Sequence, residues 1–379
     1  MLDRYTNQLN QLKASGNYRL LRDDMCQPIA NGELIDMSSN DYLGIGTNRA
    51  LVEEFFDTVN VSALQMSSTA SRLLSASQQH YYSLEKQLES LYGKPALLFN
   101  SGYHANTGVV SALASGDVLI VADKLVHASI IDGMVLSRSR FKRFRHNDLA
   151  HLREILQENQ GEREILVVVE SIYSMDGDKC DLKALAQMKR QFSNVILYVD
   201  EAHAFGVEGN KGLGLCEKEG VINDIDVIVG TFGKACASMG AFVVAAPEIK
   251  DYLVNCSRSF IFSTAIAPIN CQWTEFVIGK MTEMADERLH LQHISAILQE
   301  FVNPLNNGIV SESQIVPLVI GDANKTLSVS EKLRERGYLA LPIRKPTVPA
   351  GTERVRFSLS AAHSEEQVRD LITILREIV

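Results

Sequence analysis

The chain has 379 residues, 46% hydrophobic and 22% charged, the composition of a soluble globular protein long enough for two or three domains. Its 37 basic and 46 acidic side chains leave a formal charge of −9 with no long basic run, which argues against nucleic acid or an anionic membrane as partner. Six cysteines, at 26, 180, 216, 236, 256 and 271, form no CxxC pair and no Cys/His metal spacing, so they read as reduced thiols of a cytoplasmic protein.

The amino-terminal stretch "MLDRYTNQLNQLKASGNYRLL" is polar with spaced leucines, the pattern of a short amphipathic helix rather than a signal peptide. "ELIDMSSNDYLG" (33–44) is expected to join a smaller domain or to bridge to a larger one. From about residue 95, short apolar runs alternate with amphipathic helical stretches such as 181–193. The strands predicted are 96–100, 117–123, 165–171, 195–201, 226–231 and 240–246. Near-continuous Val/Ile/Leu strands separated by helices specify an α/β fold with a large, mostly parallel sheet covered on both faces. Runs such as "ILVVV" (165–169) are strand-sized and too short to span a bilayer. A helical stretch runs from Pro268 to about Leu305. Strand and helix patterns then alternate to a closing helix over 364–379, a smaller α+β unit. The expected division is 1–45 as helix and bridging segment, 46–270 as the large domain and 271–379 as the small one.

In parallel sheets ligands bind beyond the carboxyl ends of the strands, which singles out Asn100, Asp123, Glu170, Asp200 and Thr231. "VGTFGKACASMGAF" (229–242) sets Lys234 among small and apolar residues. It reads either as a lysine whose stem packs while its ammonium reaches water, or as a desolvated amine able to form a Schiff base. Cys236, two residues on, reads as a packing residue. "LYVDEAHAFG" (197–206) puts Asp200 at a strand end with His203 three residues on. A buried carboxylate needs a partner, so Asp200 is expected to meet a cation; it reads as a salt bridge or helix N-cap, or as the anion opposite a pyridinium. "NSGYHANTG" (100–108) leads from strand to helix and offers backbone amides to a phosphate, or forms a plain turn. "DKLVHAS" places His127 beyond another strand end, as a cap or as a ring that stacks on a flat ligand. "ESIYSMDGD" (170–178) carries Ser174 next to a predicted turn at Asp176–Gly177, and "FSTA" (262–265) carries two hydroxyls. No Walker loop, GxGxxG, hydrolase elbow or HExxH is present, and no metal site is expected.

Taken in order, "SSNDYLG", "NSGYHAN", "DKLVHASIIDG", "ESIYSMDGD", "VDEAHAFGV" and "TFGKA" resemble the motifs of the α-oxoamine synthases, across nearly the whole chain. These are pyridoxal 5'-phosphate (PLP) enzymes of fold type I, the aspartate-aminotransferase-like architecture. The resemblance implies decarboxylative condensation of an amino acid with an acyl thioester, on coenzyme A or an acyl carrier protein. Segments 144–152, 317–337 and 343–363 most resemble the branch that joins alanine to a pimeloyl thioester in biotin biosynthesis. By the same resemblance, Lys234 would hold the cofactor covalently, Asp200 would face its pyridine nitrogen and His203 its phenolic oxygen. His127 would stack on the ring, while Gly102, Tyr103, Ser174 and Thr231 would hold the cofactor or its phosphate. Asn40 and Arg356 would bind the amino acid carboxylate. Thr264 would reach the phosphate of a neighbouring subunit, which implies a homodimer with shared sites. Arg344 reads either as a cation for the distal carboxylate of a pimeloyl chain or as a brace within its loop.

Ala70, Ala76 and Ala237 stand where many relatives carry glycine, and the added methyl groups would narrow the acyl pocket or shift a loop. Other readings remain open: sibling enzymes using glycine or serine, an aminotransferase of the same fold, and a catalytically silent binding protein. An intact Asp200, His203 and Lys234 set argues against the last.

Overall fold

The computed structural model describes residues 2–19, 21, 34–76 and 78–379, which group into two units. The smaller takes the described residues up to Tyr42, with Ser174–Asp178 and Leu289–Val379; the larger takes Leu43–Tyr173 and Lys179–Arg288. Residues 271–288, grouped with the small domain on sequence, fall in the larger unit. Within the expected bridging segment, residues 1, 20 and 22–33 lie outside the described residues, as does Cys26.

The smaller unit begins with α1 (Asp3–Ala14), which buries none of its residues, and β1 (Ile35–Asp36). The larger unit then runs α2 (Arg49–Thr58), α3 (Gln79–Tyr92), β2 (Ala96–Phe99), α4 (Gly102–Leu113), β3 (Val118–Asp123), α5 (Ala128–Ser137) and β4 (Phe141–Phe144). It continues with α6 (Leu149–Glu158), β5 (Glu164–Glu170), α7 (Leu182–Lys189), β6 (Val195–Asp200), α8 (Leu215–Lys218), β7 (Val227–Thr231) and β8 (Ala241–Ala245). Helices α9 (Pro247–Cys256), α10 (Arg258–Ile261) and α11 (Pro268–Met281) complete it. Its seven strands form one sheet in the order β2-β8-β7-β6-β5-β3-β4. The β3–β4, β3–β5, β5–β6 and β6–β7 pairs are parallel, and β8 runs antiparallel to both β7 and β2. This is the expected large, mostly parallel sheet.

All six predicted strands are present, with bounds within one or two residues. The exception to the prediction is β4, "FKRF", an edge strand with one buried residue, Phe144, and no apolar run to announce it. Polar residues at the strand exits start the helices: Ser101 caps α4, His127 caps α5, and Asp148 and Asp181 cap α6 and α7. Each side chain accepts a hydrogen bond from an otherwise unpaired first-turn amide. Helices α4 and α5 approach closely at Gly133, where a Cβ would lie 2.9 Å from Val110 Cβ. The sheet therefore delivers its site residues from strand ends and from the first turns of helices.

The smaller unit holds most of α12 (Ala285–Val302), then β9 (Ile315–Val319), α13 (Ala323–Glu335), β10 (Tyr338–Leu339), β11 (Pro342–Ile343), β12 (Arg354–Ser358) and α14 (Glu365–Ile378). Its main sheet is antiparallel, in the order β11-β12-β9, and β1 pairs in parallel with β10. Ser364 and Gln367 close α14 with a reciprocal capping box. The predicted turn at Asp176–Gly177 is present, with Gly177 at φ +73°, where a Cβ would collide with the Ile315 carbonyl oxygen. Among the described residues, no helix is long and apolar enough to cross a membrane. Cys180, Cys216, Cys236, Cys256 and Cys271 are all free thiols.

Candidate active site

Three strands end side by side. β5 ends in Glu170, β6 in Asp200 and β7 in Thr231, and the chain after each turns over the sheet's edge. Together with the first turns of α4 and α5, these ends enclose a cavity of about 170 Å³. Gly102, Tyr103, His127, Asp200, His203, Thr231 and Lys234 all line it. So do Asn106, Ser129, Glu170 and Ala202.

Lys234 is partly buried, and its Nζ lies 2.8 Å from Nε2 of the buried His203. Asp200 is 4% exposed. Within the protein it is held by neutral donors: Asn106 Nδ2 bonds Oδ2 at 2.7 Å and the Ala202 amide bonds Oδ1 at 2.8 Å. Hydrogen bonds to the charged form satisfy a buried carboxylate as an ion pair would, without a second desolvated charge.

Asn106 is itself held on both sides. Its Oδ1 accepts from the Tyr198 hydroxyl at 2.5 Å, and its Nδ2 donates to Ser129 Oγ at 2.9 Å as well as to Asp200. Ser129 in turn sits 2.7 Å from His127 Nδ1, and its backbone amide donates to the same nitrogen at 3.2 Å. The His127 backbone amide donates to Glu170 Oε1 at 2.5 Å. Burial, and after it the nearby Asp200, push Glu170 well above the usual carboxylate range. Desolvation also lowers the His127 pKa, against the pull of Asp200, although the ring's outer face opens onto the cavity. His127 is thus a neutral ring at neutral pH.

On the far side, α4 starts at Gly102, where a Cβ would lie 3.5 Å from Thr231 Cβ and occupy the space between helix and strand end. The first amides of a helix have no intrahelical partner, and the helix dipole favours an anion there. Thr231 donates to the Gly240 carbonyl at 3.1 Å, while the Tyr103 hydroxyl bonds Asp132, which raises its pKa.

The remaining candidates lie elsewhere. Thr264 is exposed and does not line this cavity; its carbonyl accepts from Asn100 Nδ2, and it forms an isolated bridge with Ser71. Ser174, Asn40 and Arg356 cluster in the smaller unit, where Arg356 Nε donates to the Ser174 carbonyl at 2.7 Å and both Nη atoms reach Asn40 Oδ1 at 3.2 Å. Arg344, also there, donates to the Gly16 carbonyl. Asn106 and Ser129 were missed by sequence reasoning. Both stood inside quoted motifs, but their partners are up to 94 residues away and only folding reveals them.

The cavity offers an amine, a hydrogen-bonded carboxylate, two imidazoles and a helix start, the set required to hold a flat, phosphorylated aromatic aldehyde. A family model described as aminotransferase class I and II matches residues 32–375. A Pasteurella multocida protein named "Putative 8-amino-7-oxononanoate synthase" is 48% identical over 386 aligned positions, covering 100% of both chains. Among solved structures, Sphingomonas wittichii serine palmitoyltransferase superposes with a TM-score of 0.88 at 28% identity, covering 100% of this chain and 96% of that one. A structure titled SPT with PLP gives 0.89 at 26% identity, covering 100% and 97%.

Proposed function

The chain belongs to the class I and II aminotransferase family, in its α-oxoamine synthase branch, and from that premise we propose that it is a PLP-dependent 8-amino-7-oxononanoate synthase. It would condense L-alanine with a pimeloyl thioester, releasing carbon dioxide and the free thiol. The observation that carries the reading is Lys234 beside His203 in one cavity with Asp200 and His127. The full-length 48% identity to the Pasteurella protein, against 28% to the palmitoyltransferase, supports this branch over its serine-using sibling.

The residues present fit the cofactor. Lys234 Nζ would attach it, and His203, 2.8 Å from that nitrogen, would hydrogen-bond its phenolic oxygen. Asp200, which accepts hydrogen bonds at both oxygens, is suited to face a pyridine nitrogen. The amides at the start of α4, with Thr231 opposite, suit the phosphate. When bound, the cofactor supplies an electron sink for a carbanion at the amino acid's Cα. Lys234 Nζ, with His203 Nε2 2.8 Å from it, would serve as the general base for the Cα proton. The neutral His127 ring offers a flat face without placing a second cation against the cofactor. Arg356 and Asn40 are assigned the amino acid's carboxylate, since a guanidinium binds one in a bidentate pair. Thr264 is assigned to the neighbouring subunit's phosphate, in a homodimer.

The test is a matrix of amino acids against acyl thioesters, following free thiol and carbon dioxide. Alanine with pimeloyl thioester should release both in equal amounts. Pyruvate formed from alanine without any thioester would instead identify an aminotransferase.

A further inference from the structure

Four buried polar side chains form a branched chain of hydrogen bonds behind the cavity. Tyr198 is 0% exposed, Ser129 0%, Asn106 3% and Asp200 4%, so none can exchange its partner for water without a rearrangement. The Asn106 nitrogen donates to Asp200 Oδ2 and its oxygen accepts from the Tyr198 hydroxyl. That orientation sends the second Nδ2 hydrogen to Ser129 Oγ. The Ser129 hydroxyl, accepting there, has its own hydrogen left for His127 Nδ1, 2.7 Å away. Nδ1 therefore accepts, and the ring carries its proton on Nε2.

We propose that Asn106 and Ser129 are positioning residues that tie the two principal groups of the site together: one locked amide orients the Asp200 carboxylate and, through the Ser129 hydroxyl, holds His127 as its Nε2–H tautomer. The relay stands on protein atoms alone; its bearing on cofactor binding rests on the function proposed above. The charged and titratable groups around His127 are Asp200, Lys234 and Asp132, with Glu170 at its backbone amide and Tyr103 on the same cavity. None of these except Asp200 takes part in the relay.

The test uses the full-length protein with 15N-labelled histidine, read by NMR at fixed neutral pH without cofactor, alongside titration with pyridoxal phosphate. In the wild type, His127 should show a bare Nδ1 and a protonated Nε2. Asn106→Ala removes the donor to Ser129 and to Asp200. The Ser129 hydroxyl is then no longer committed to Nδ1, so the His127 Nδ1 signal should shift from wild type, while the Ser129 backbone amide still favours the same tautomer. Pyridoxal phosphate affinity should fall about 10- to 100-fold, the loss of one hydrogen bond to a buried charge. Ser129→Ala should change the His127 signal while leaving that affinity nearly unchanged, a split that general destabilisation would not produce. Asn106→Asp, almost the same shape, covers the case in which Asn106→Ala does not fold; it sets a second carboxylate beside Asp200 and should change both readouts. His127 signals that stay at wild type in all three variants overturn the relay. An Asn106 variant that alters His127 but not affinity overturns the Asp200 half. Wild-type protein with the predicted tautomer but no affinity for pyridoxal phosphate would sink the proposed function and leave the relay standing.

Discussion

Lys234 Nζ and His203 Nε2 lie 2.8 Å apart at the mouth of the sheet. Amine and imidazole thus share one hydrogen bond. The pair joins β7's exit to β6's exit, and it gives the amine a neighbour that can take part in its proton traffic.

The covalent site follows from that pair. The purified protein should be yellow, and borohydride reduction should bleach it and leave a pyridoxyl group on Lys234 in peptide mass mapping. Lys234→Ala should still bind pyridoxal phosphate noncovalently but lose turnover by about 10² to 10⁴-fold or more, the range of a removed general base. A label on any other lysine would remove Lys234 from its assigned role.

Ala237 carries a second, structural prediction. It sits at φ +44°, in the left-handed region, with the Trp273 indole donating to its carbonyl at 3.1 Å and its own amide donating to the Lys234 carbonyl at 2.8 Å. That conformation costs alanine about 1–2 kcal/mol, while glycine's greater freedom when unfolded returns about 0.5–1 kcal/mol of the difference. Ala237→Gly should therefore raise the denaturant midpoint by a net stabilisation of about 0.5–1 kcal/mol, with an unchanged slope. A lower midpoint would show that the Lys234 turn is not strained.

These two positions mark how far the sequence could be read. Strand ends at Asp200 and Thr231 were legible because the buried strands before them are unbroken Val/Ile/Leu runs, whose length and direction place their termini. The edge strand β4 was not, because exposure on three of its four residues removes the apolar signal. That Asp200 needs partners was foreseen, but the neutral donors that hold it within the protein were not. Burial demands compensation, whereas the choice between a cation and an amide depends on which side chain folding brings within 3 Å. Asn106 is 94 residues from Asp200 in sequence, and nothing local in "HANTG" marks it. Ala237 was noticed through an expected glycine, and its positive φ is the physical reason a glycine would suit that place.

The smaller unit supplies a pH prediction. His363 is 8% exposed; its Nδ1 accepts from the Ser360 amide at 3.1 Å and its Nε2 donates to the Asp36 carbonyl at 3.1 Å. Burial lowers its pKa below the ordinary 6.5, so the unfolded chain binds its proton first as pH falls. More protons on the unfolded state means that stability rises with pH in this window. The contribution is therefore fully present above 6.5 and is lost as pH drops through the depressed folded value. His363→Gln should lower stability at pH 8 yet flatten its decline toward acid. An unchanged slope in urea titrations between pH 7 and 5 would assign that decline to other groups.

Thr264 tests the shared site. It is exposed on its own chain and lies outside the cavity around Lys234, as a residue serving a neighbouring subunit would. Thr264→Ala should weaken pyridoxal phosphate binding severalfold while leaving the chain's fold intact by circular dichroism. Sedimentation should find a dimer at assay concentrations. A fully active monomer would rule out sharing.

Substrate choice is the last prediction. Arg356 has its Nε on the Ser174 carbonyl and both Nη atoms on Asn40 Oδ1, contacts that need a planar fork. A lysine offers one point charge and cannot repeat them. Arg356→Lys should raise the KM for alanine tenfold or more, roughly the strength of one bidentate ion pair, with pyridoxal phosphate still bound. Alanine against glycine is a weaker discrimination, because one methyl in an apolar pocket is worth only about 1–3 kcal/mol. The acyl donor is therefore the sharper probe. Arg344 already gives one N–H to the Gly16 carbonyl, and Arg19 reaches the Thr347 hydroxyl at 3.1 Å, so the loop that carries Arg344 is held from the amino-terminal side. A guanidinium placed there carries the charge that a distal carboxylate on the acyl chain would pair with. Arg344→Gln should then depress kcat/KM for pimeloyl thioester much more than for acetyl thioester. Equal loss for both donors would make Arg344 a brace only, and a preference for acetyl thioester with glycine in the wild type would move the enzyme to a sibling reaction with Lys234, Asp200 and His203 unchanged in role.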